Sequence, residues 1–313
     1  MKSKSEQATS LWRRCWPPAF LLASAIFVGW HFRGQSADVS HLGPLDWRYL
    51  ALAALLQFSY LAINTFCWRA TIGWYAGIDI GWLMSFRQLM MAALGKYFPG
   101  KVWGMIARAN ALSQAGVPLR QSALATINEQ FLLLYASFLV CAVLWASIEP
   151  AAYSCLLAAA AVSGLLALPK LQQWVFGLRL TQRLFPENLA RRADNVLPWG
   201  KILRLVVGYA AIWVISGLTV AALYHAIFAG IPTFSLLAHL IIANTIGISI
   251  GFFAVFSPGG LGVREAITGG MLSMQLGAGP AVLLCLVFRL WIVAFELLGG
   301  LTLLMRDGET TRQ

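Results

Sequence analysis

Two clusters of ionisable residues stand where this chain is otherwise apolar. Lys96, Lys101 and Arg108 surround Pro99-Gly100, with Glu129 further along. Arg264 and Glu265 follow Pro258-Gly259-Gly260, with Arg289 further along. A charge at the centre of a bilayer costs roughly 2.5–3.5 kcal/mol on insertion scales, so such residues face the interior and find partners. A helix that restarts after a Pro-Gly break presents free N–H groups and the positive end of its dipole. Cations added to such ends suit an anion, most naturally a phosphate, which Arg holds in bidentate fashion. In apolar surroundings that anion reads as a lipid headgroup rather than a free ion. The plainer alternatives are that Lys96 and Lys101 snorkel to the interface and that Arg264 and Glu265 satisfy each other.

Aligning Pro99 with Pro258 brings Gly104 near Gly262 and Glu129 near Arg289. One acid and one base at related positions predict a shared Glu129–Arg289 network between two halves of the chain. Glu296, just before Gly299-Gly300, reads as a polar residue packed against another helix. Gly247 and Gly251 have the spacing of a close helix contact. Trp30, Trp47, Trp68, Trp82 and Trp199 read as interface anchors at span ends.

The elements that must carry these residues are membrane spans. The chain is 59% hydrophobic and 11% charged, against about 25% charged in soluble domains. Its net charge of +11 sits at span ends and in one loop, which matches the positive-inside rule rather than a nucleic-acid surface. Five cysteines and four histidines lie scattered, without metal-ligand spacing, so neither a metal nor another cofactor is expected. No Walker loop or HExxH occurs, and the chain is read as a non-enzyme. The basic N-terminus and the apolar run 17–30 lead into Trp30-His31-Phe32-Arg33 rather than a small-residue cleavage site. That pattern predicts an uncleaved first span.

Spanning runs are expected at about 17–32, 48–68, 122–147, 151–168, 203–228 and 279–304. Segments 82–112 and 234–275 are apolar but broken, so each is a re-entrant hairpin or a discontinuous span. Basic residues place the N-terminus and the 169–202 linker in the cytoplasm. The linker is read either as an amphipathic surface helix carrying Leu171, Trp174, Val175 and Leu178 or as a plain basic loop. The expected fold is an all-α integral membrane bundle forming a single membrane domain. Its repeats, about 17–147 and 151–305, have three crossings and one hairpin each, an odd number that inverts the second half. Both termini then face the cytoplasm. Eight ordinary spans kinked by proline are the alternative.

These motifs resemble those of a known family. Leu94-Gly95-Lys96-Tyr97-Phe98-Pro99-Gly100-Lys101, Gly104, Arg108 and Glu129 resemble the first motif of the lysylphosphatidylglycerol synthase transmembrane-domain (flippase-like) family. Pro258-Gly259-Gly260, Gly262, Glu265, Arg289 and Gly299-Gly300 resemble its second. The family often has Gly-Glu where this chain has Gly104-Met105, which removes an acid from the first site. The resemblance implies a stand-alone member, without the synthase domain, in a bacterial inner membrane. It implies movement of an anionic phospholipid or a polyprenyl-phosphate-linked glycolipid between leaflets. A role as accessory partner of an envelope-synthesis complex, and an intramembrane lipid transferase, are the competing readings.

Overall fold

The computed structural model describes residues 44–97, 103–149, 151–176, 196–254 and 258–310. The expected first span at 17–32, the tip residues Pro99, Gly100 and Lys101, and the linker stretch 177–195 lie outside them. Among these residues nine α-helices follow in order: α1 Trp47–Ala76, α2 Trp82–Gly95, α3 Trp103–Gln114, α4 Leu119–Ile148, α5 Ala152–Phe176, α6 Trp199–Phe228, α7 Phe234–Phe253, α8 Val263–Leu276 and α9 Ala278–Thr310. A 3-10 turn at Pro258–Gly260 precedes α8, and no strand occurs among the described residues. Six helices, α1, α4, α5, α6, α7 and α9, are long and apolar enough to cross a membrane.

Local sequence explains where the helices begin and end. Asp46 caps α1 by accepting the Arg48 N–H at 2.9 Å, and Gly77 closes it in the left-handed conformation at φ 68°. Thr233 caps α7 through the Leu236 N–H. Pro118 and Pro198 stand immediately before α4 and α6. The α1–α2 turn is strapped by Arg69, whose Nε donates to Asp79 at 2.7 Å. That contact and the Gly81 N–H hold the Asp79 carboxyl down to about 2.

The two broken segments both fold back on themselves. In the first, a Cβ built at Gly104 of α3 would lie 3.0 Å from Ala92 Cα of α2. In the second, Gly247 and Gly251 of α7 meet Thr268 and Arg264 of α8, as their spacing predicts. At 14, 12 and 14 residues, α2, α3 and α8 reach only about 18–21 Å, short of a bilayer core of about 30 Å. The 20 residues of α7 suffice for a crossing, so the two hairpins differ in their first arm.

α6 is the central helix. Its first half packs Ile202, Leu205, Tyr209 and Ile212 among α1, α4 and α5 residues, and its second half packs Val220, Leu223 and Ile227 toward α7 and α9. Lipid tails are as apolar as these side chains, so close packing and interhelical hydrogen bonds hold the bundle. Trp213 Nε1 donates to the Leu133 carbonyl at 2.9 Å, and Asn244 Nδ2 to Ser216 Oγ at 2.9 Å. Gly217 lets α7 approach α6: a Cβ there would stand 2.6 Å from Ile241 Cα. Gly217→Ala should cost about 1–3 kcal/mol by overpacking, seen as a lower melting temperature in detergent. Gly270→Ala, with nothing within 4 Å of the added Cβ, should leave the melt unchanged.

Two expectations change. α5 continues through Pro169 to Phe176, so residues 171–176 extend a span instead of starting a separate surface helix. The proline is tolerated because neighbouring groups can re-satisfy the freed backbone at membrane depth. Trp68 is no interface anchor: it is fully buried against Ile72, Leu112 and Ala125. Trp47, Trp82 and Trp199 are exposed, as anchors should be.

Candidate functional site

The two breaks meet. The Gly259 N–H donates to the Lys96 carbonyl at 2.7 Å, joining the end of α2 to the turn before α8. Gly259 has φ 60°, and a Cβ there would lie 3.2 Å from the Tyr97 ring and 3.0 Å from Arg289 Nη2. Glycine is required at this position for its backbone conformation and for the close approach. Glu296 of α9, 6% exposed, completes the junction. Its carboxylate takes an ion pair from Lys96 Nζ and a 2.8 Å hydrogen bond from the Tyr97 hydroxyl.

The positioning follows from small residues. Gly299 and Gly300 of α9 receive α2: Cβ atoms there would meet Met90 Sδ at 2.6 Å and Leu94 Cδ1 at 2.8 Å. That contact sets α9 so that Glu296, one turn earlier, stands at the end of α2. Glu296 does lie against another helix, as expected, and its partners there are Lys96 and Tyr97, so it ties the end of α2 to the last span. Its sequence neighbourhood gave no hint, because Lys96 and Tyr97 lie about 200 residues away in the chain.

On the other side of the junction, Glu265 works twice. One oxygen accepts the Gly262 N–H at 2.8 Å and the other accepts from Arg289 Nη1 at 3.2 Å. Arg289 Nη1 also donates to the Gly259 carbonyl at 3.1 Å. The N-terminus of α8 is thus served by its own acid and is not a vacant anion cradle. Arg264, next along α8, does not pair with Glu265. Its guanidinium lies over the Phe288 ring at 5.2 Å and has no acidic partner among the described residues. Arg289 Nη2 is buried without a hydrogen bond.

Arg108 and Glu129 form a separate centre. Arg108 Nη1 donates to Glu129 Oε2 at 2.8 Å, with the residues 3% and 4% exposed. The guanidinium stacks on Trp68, 3.0 Å from the ring centroid. The Glu129–Arg289 network expected from the alignment is not formed. Each of the two residues takes its partner from the second arm of the hairpin in its own half, Arg108 on α3 for Glu129 and Glu265 on α8 for Arg289. The architecture repeats with the charges exchanged: cation on the arm and acid on the span in the first half, acid on the arm and cation on the span in the second.

Of the residues singled out in the sequence, the structure brings Lys96, Arg264, Glu265, Arg289, Gly259 and Gly260 to one junction, and Pro258 opens the 3-10 turn that carries Gly259. It leaves Arg108 and Glu129 in their own centre. Tyr97, Glu296, Trp68 and Gln88 are the additions. Trp68 Nε1 donates to Gln88 Oε1 at 2.7 Å, both side chains fully buried.

Comparison with known proteins agrees with the motifs. Searches among curated proteins and among solved structures give no match. Residues 19–300 match the family model described as the lysylphosphatidylglycerol synthase TM region. That stretch contains both breaks, both ion-paired centres and the Gly299-Gly300 seat, and the chain belongs to the lysylphosphatidylglycerol synthase TM region family.

Proposed function

We propose that this protein is an inner-membrane, flippase-like translocase that moves a lipid with an anionic phosphate headgroup between leaflets, with the headgroup held at the junction of the two breaks. Phospholipids and polyprenyl-phosphate-linked glycolipids share that headgroup chemistry. The observation that carries the reading is the unmatched charge of Arg264. At the junction three cations, Lys96, Arg264 and Arg289, face two carboxylates, Glu265 and Glu296. An uncompensated cation in low dielectric is costly, and an anion supplied from outside removes the cost. Arg264 with the free Nη2 of Arg289 offers the donors to bind it.

The helix contacts support an inverted repeat as the moving framework. α2 packs against α9, and α7 packs against α4, so each hairpin's first arm meets the other half's last span. α1 packs against α6, its counterpart under the same exchange. In this framework the termini face the cytoplasm, and rocking of one half against the other exposes the junction to each leaflet in turn.

The test is leaflet exchange of fluorescent phosphatidylglycerol in reconstituted vesicles. Arg264→Ala should reduce the rate at least tenfold while expression and thermal melting stay near wild type. Arg264→Lys should recover part of it, since the charge returns without the planar fork. Exchange at the wild-type rate by Arg264→Ala protein would reject the site and leave the accessory-partner role as the better account.

A further inference from the structure

The Arg108 centre has more donors than acceptors. Among the described residues only Nη1 of the three guanidinium nitrogens is bonded; Nε and Nη2 are buried and find no partner there. Gln88 Nε2 is likewise buried and unbonded. Its orientation is fixed, because Trp68 Nε1 can only donate and therefore demands the Gln88 oxygen. Both side chains touch Trp68, Gln88 at the indole nitrogen and Arg108 on the ring face. Three unbonded donor nitrogens, on two side chains at least nine-tenths buried, thus gather about one indole. Buried polar groups are almost always paired, so such a set calls for an acceptor. A water would satisfy some of these donors but bring two hydrogens of its own. An oxyanion accepts from all of them.

Charge decides what must accompany it. Arg108 is already neutralised by Glu129. An oxyanion added to that pair leaves an unmatched negative charge in a low-dielectric interior, which favours protonation of the nearer carboxylate. Few other groups can respond. Cys67 and Tyr60 of α1 and Tyr209 of α6 pack in one core with Leu132 of α4, and all three are neutral near pH 7 in their ordinary state. Gln172 of α5 bonds the adjacent Asn128 and does not titrate. Lys170 of α5 and Arg204 of α6 are exposed, and Arg69 of α1 is bound to Asp79. His239 of α7 meets α4 at Trp145, sixteen residues along the helix and so about 24 Å from Glu129.

We propose that Arg108, Gln88 and Trp68 form a second, proton-linked oxyanion site, in which a phosphate-type oxygen binds Arg108 Nε and Nη2 and Gln88 Nε2 while a proton from solvent adds to the Glu129 carboxylate. The site is made of residues different from those of the Arg264 junction and stands whether or not that reading holds. It gives the fold a means of tying anion binding to proton uptake.

Calorimetric titration of the purified, delipidated protein tests it, with inorganic phosphate in one arm and dihexanoyl-phosphatidylglycerol in the other. Both arms are run with and without Arg264→Ala; proton uptake and pH dependence are read at pH 6 and pH 8, in buffers of different ionisation enthalpy, in the phosphodiester arm alone, because inorganic phosphate itself takes up a proton in this range. Binding that survives Arg264→Ala should tighten as pH falls, up to tenfold per pH unit, and take up about one proton per anion. Glu129→Gln should abolish the uptake and make the affinity independent of pH. Gln88→Glu keeps the oxygen for Trp68 but places a negative charge where the donor was, and should abolish binding with the melt preserved. Binding in both arms identifies free phosphate as a ligand, and binding of the lipid alone identifies a headgroup. Absence of binding in the Arg264→Ala protein, retention in Gln88→Glu, or binding without proton uptake would each overturn the proposal.

Discussion

Arg108→Met should destabilise the protein by about 3–5 kcal/mol, because it leaves the Glu129 carboxylate unpaired in a low-dielectric interior. The Glu129 side chain is 6% exposed and takes its ion pair from Arg108 alone among the described residues, so little water is at hand to compensate. The pair itself is a different matter. Desolvating two charges costs about as much as their attraction returns, and apolar residues of similar volume often replace a buried pair at no loss. Arg108→Met combined with Glu129→Leu should therefore recover most of the stability that Arg108→Met loses. The measurement is the melting temperature of the single and double variants in one detergent. Additive losses would show that the two residues act independently. Leaflet exchange by the double variant then asks a separate question, whether the centre serves more than stability.

How the fold was legible depends on the scale of the feature. Span positions were read from hydropathy to within a few residues at α4, α6 and α9, since a bilayer demands a fixed apolar length. The interruptions between α2 and α3 and before α8 were legible because proline and glycine report on backbone directly. Pairing was not. Arg108 lies 21 residues before Glu129 and Glu265 lies 24 before Arg289, and an oppositely charged pair at similar spacing in each half is the signal that would have given the partners. It was hidden because the charges are exchanged between halves, so that matching Glu129 with Arg289 by alignment paired two equivalent positions instead of two contacts. Gln88 is not flagged by charge because it is neutral, and the partners of Glu296 are not legible because they come from the opposite half.

That cross-half contact is where the last large effect is expected. Glu296→Gln keeps the shape of the side chain but removes the charge that Lys96 Nζ and the Tyr97 hydroxyl share. Lys96 is 35% exposed at its side chain, so water softens the loss, and about 2–3 kcal/mol is the expected cost, near the upper range for hydrogen bonds to a charged group. Lys96→Met in the same chain should cost much less than it does alone, because the cation left behind by Glu296→Gln is then removed. The structural consequence differs from that of the Arg108 variants. Arg108 and Glu129 join two elements of one half, whereas Glu296 holds the end of α2 against α9 and, through the Gly259 N–H on the Lys96 carbonyl, against the second break. Glu296→Gln should therefore speed hydrogen–deuterium exchange at residues 94–97 and 258–262 together, with the α1–α6 contact unaffected. Faster exchange at only one of the two breaks would mean that the Gly259–Lys96 hydrogen bond holds them together without the carboxylate. Faster exchange at both would make Glu296 the residue whose contacts must break before the halves can move apart.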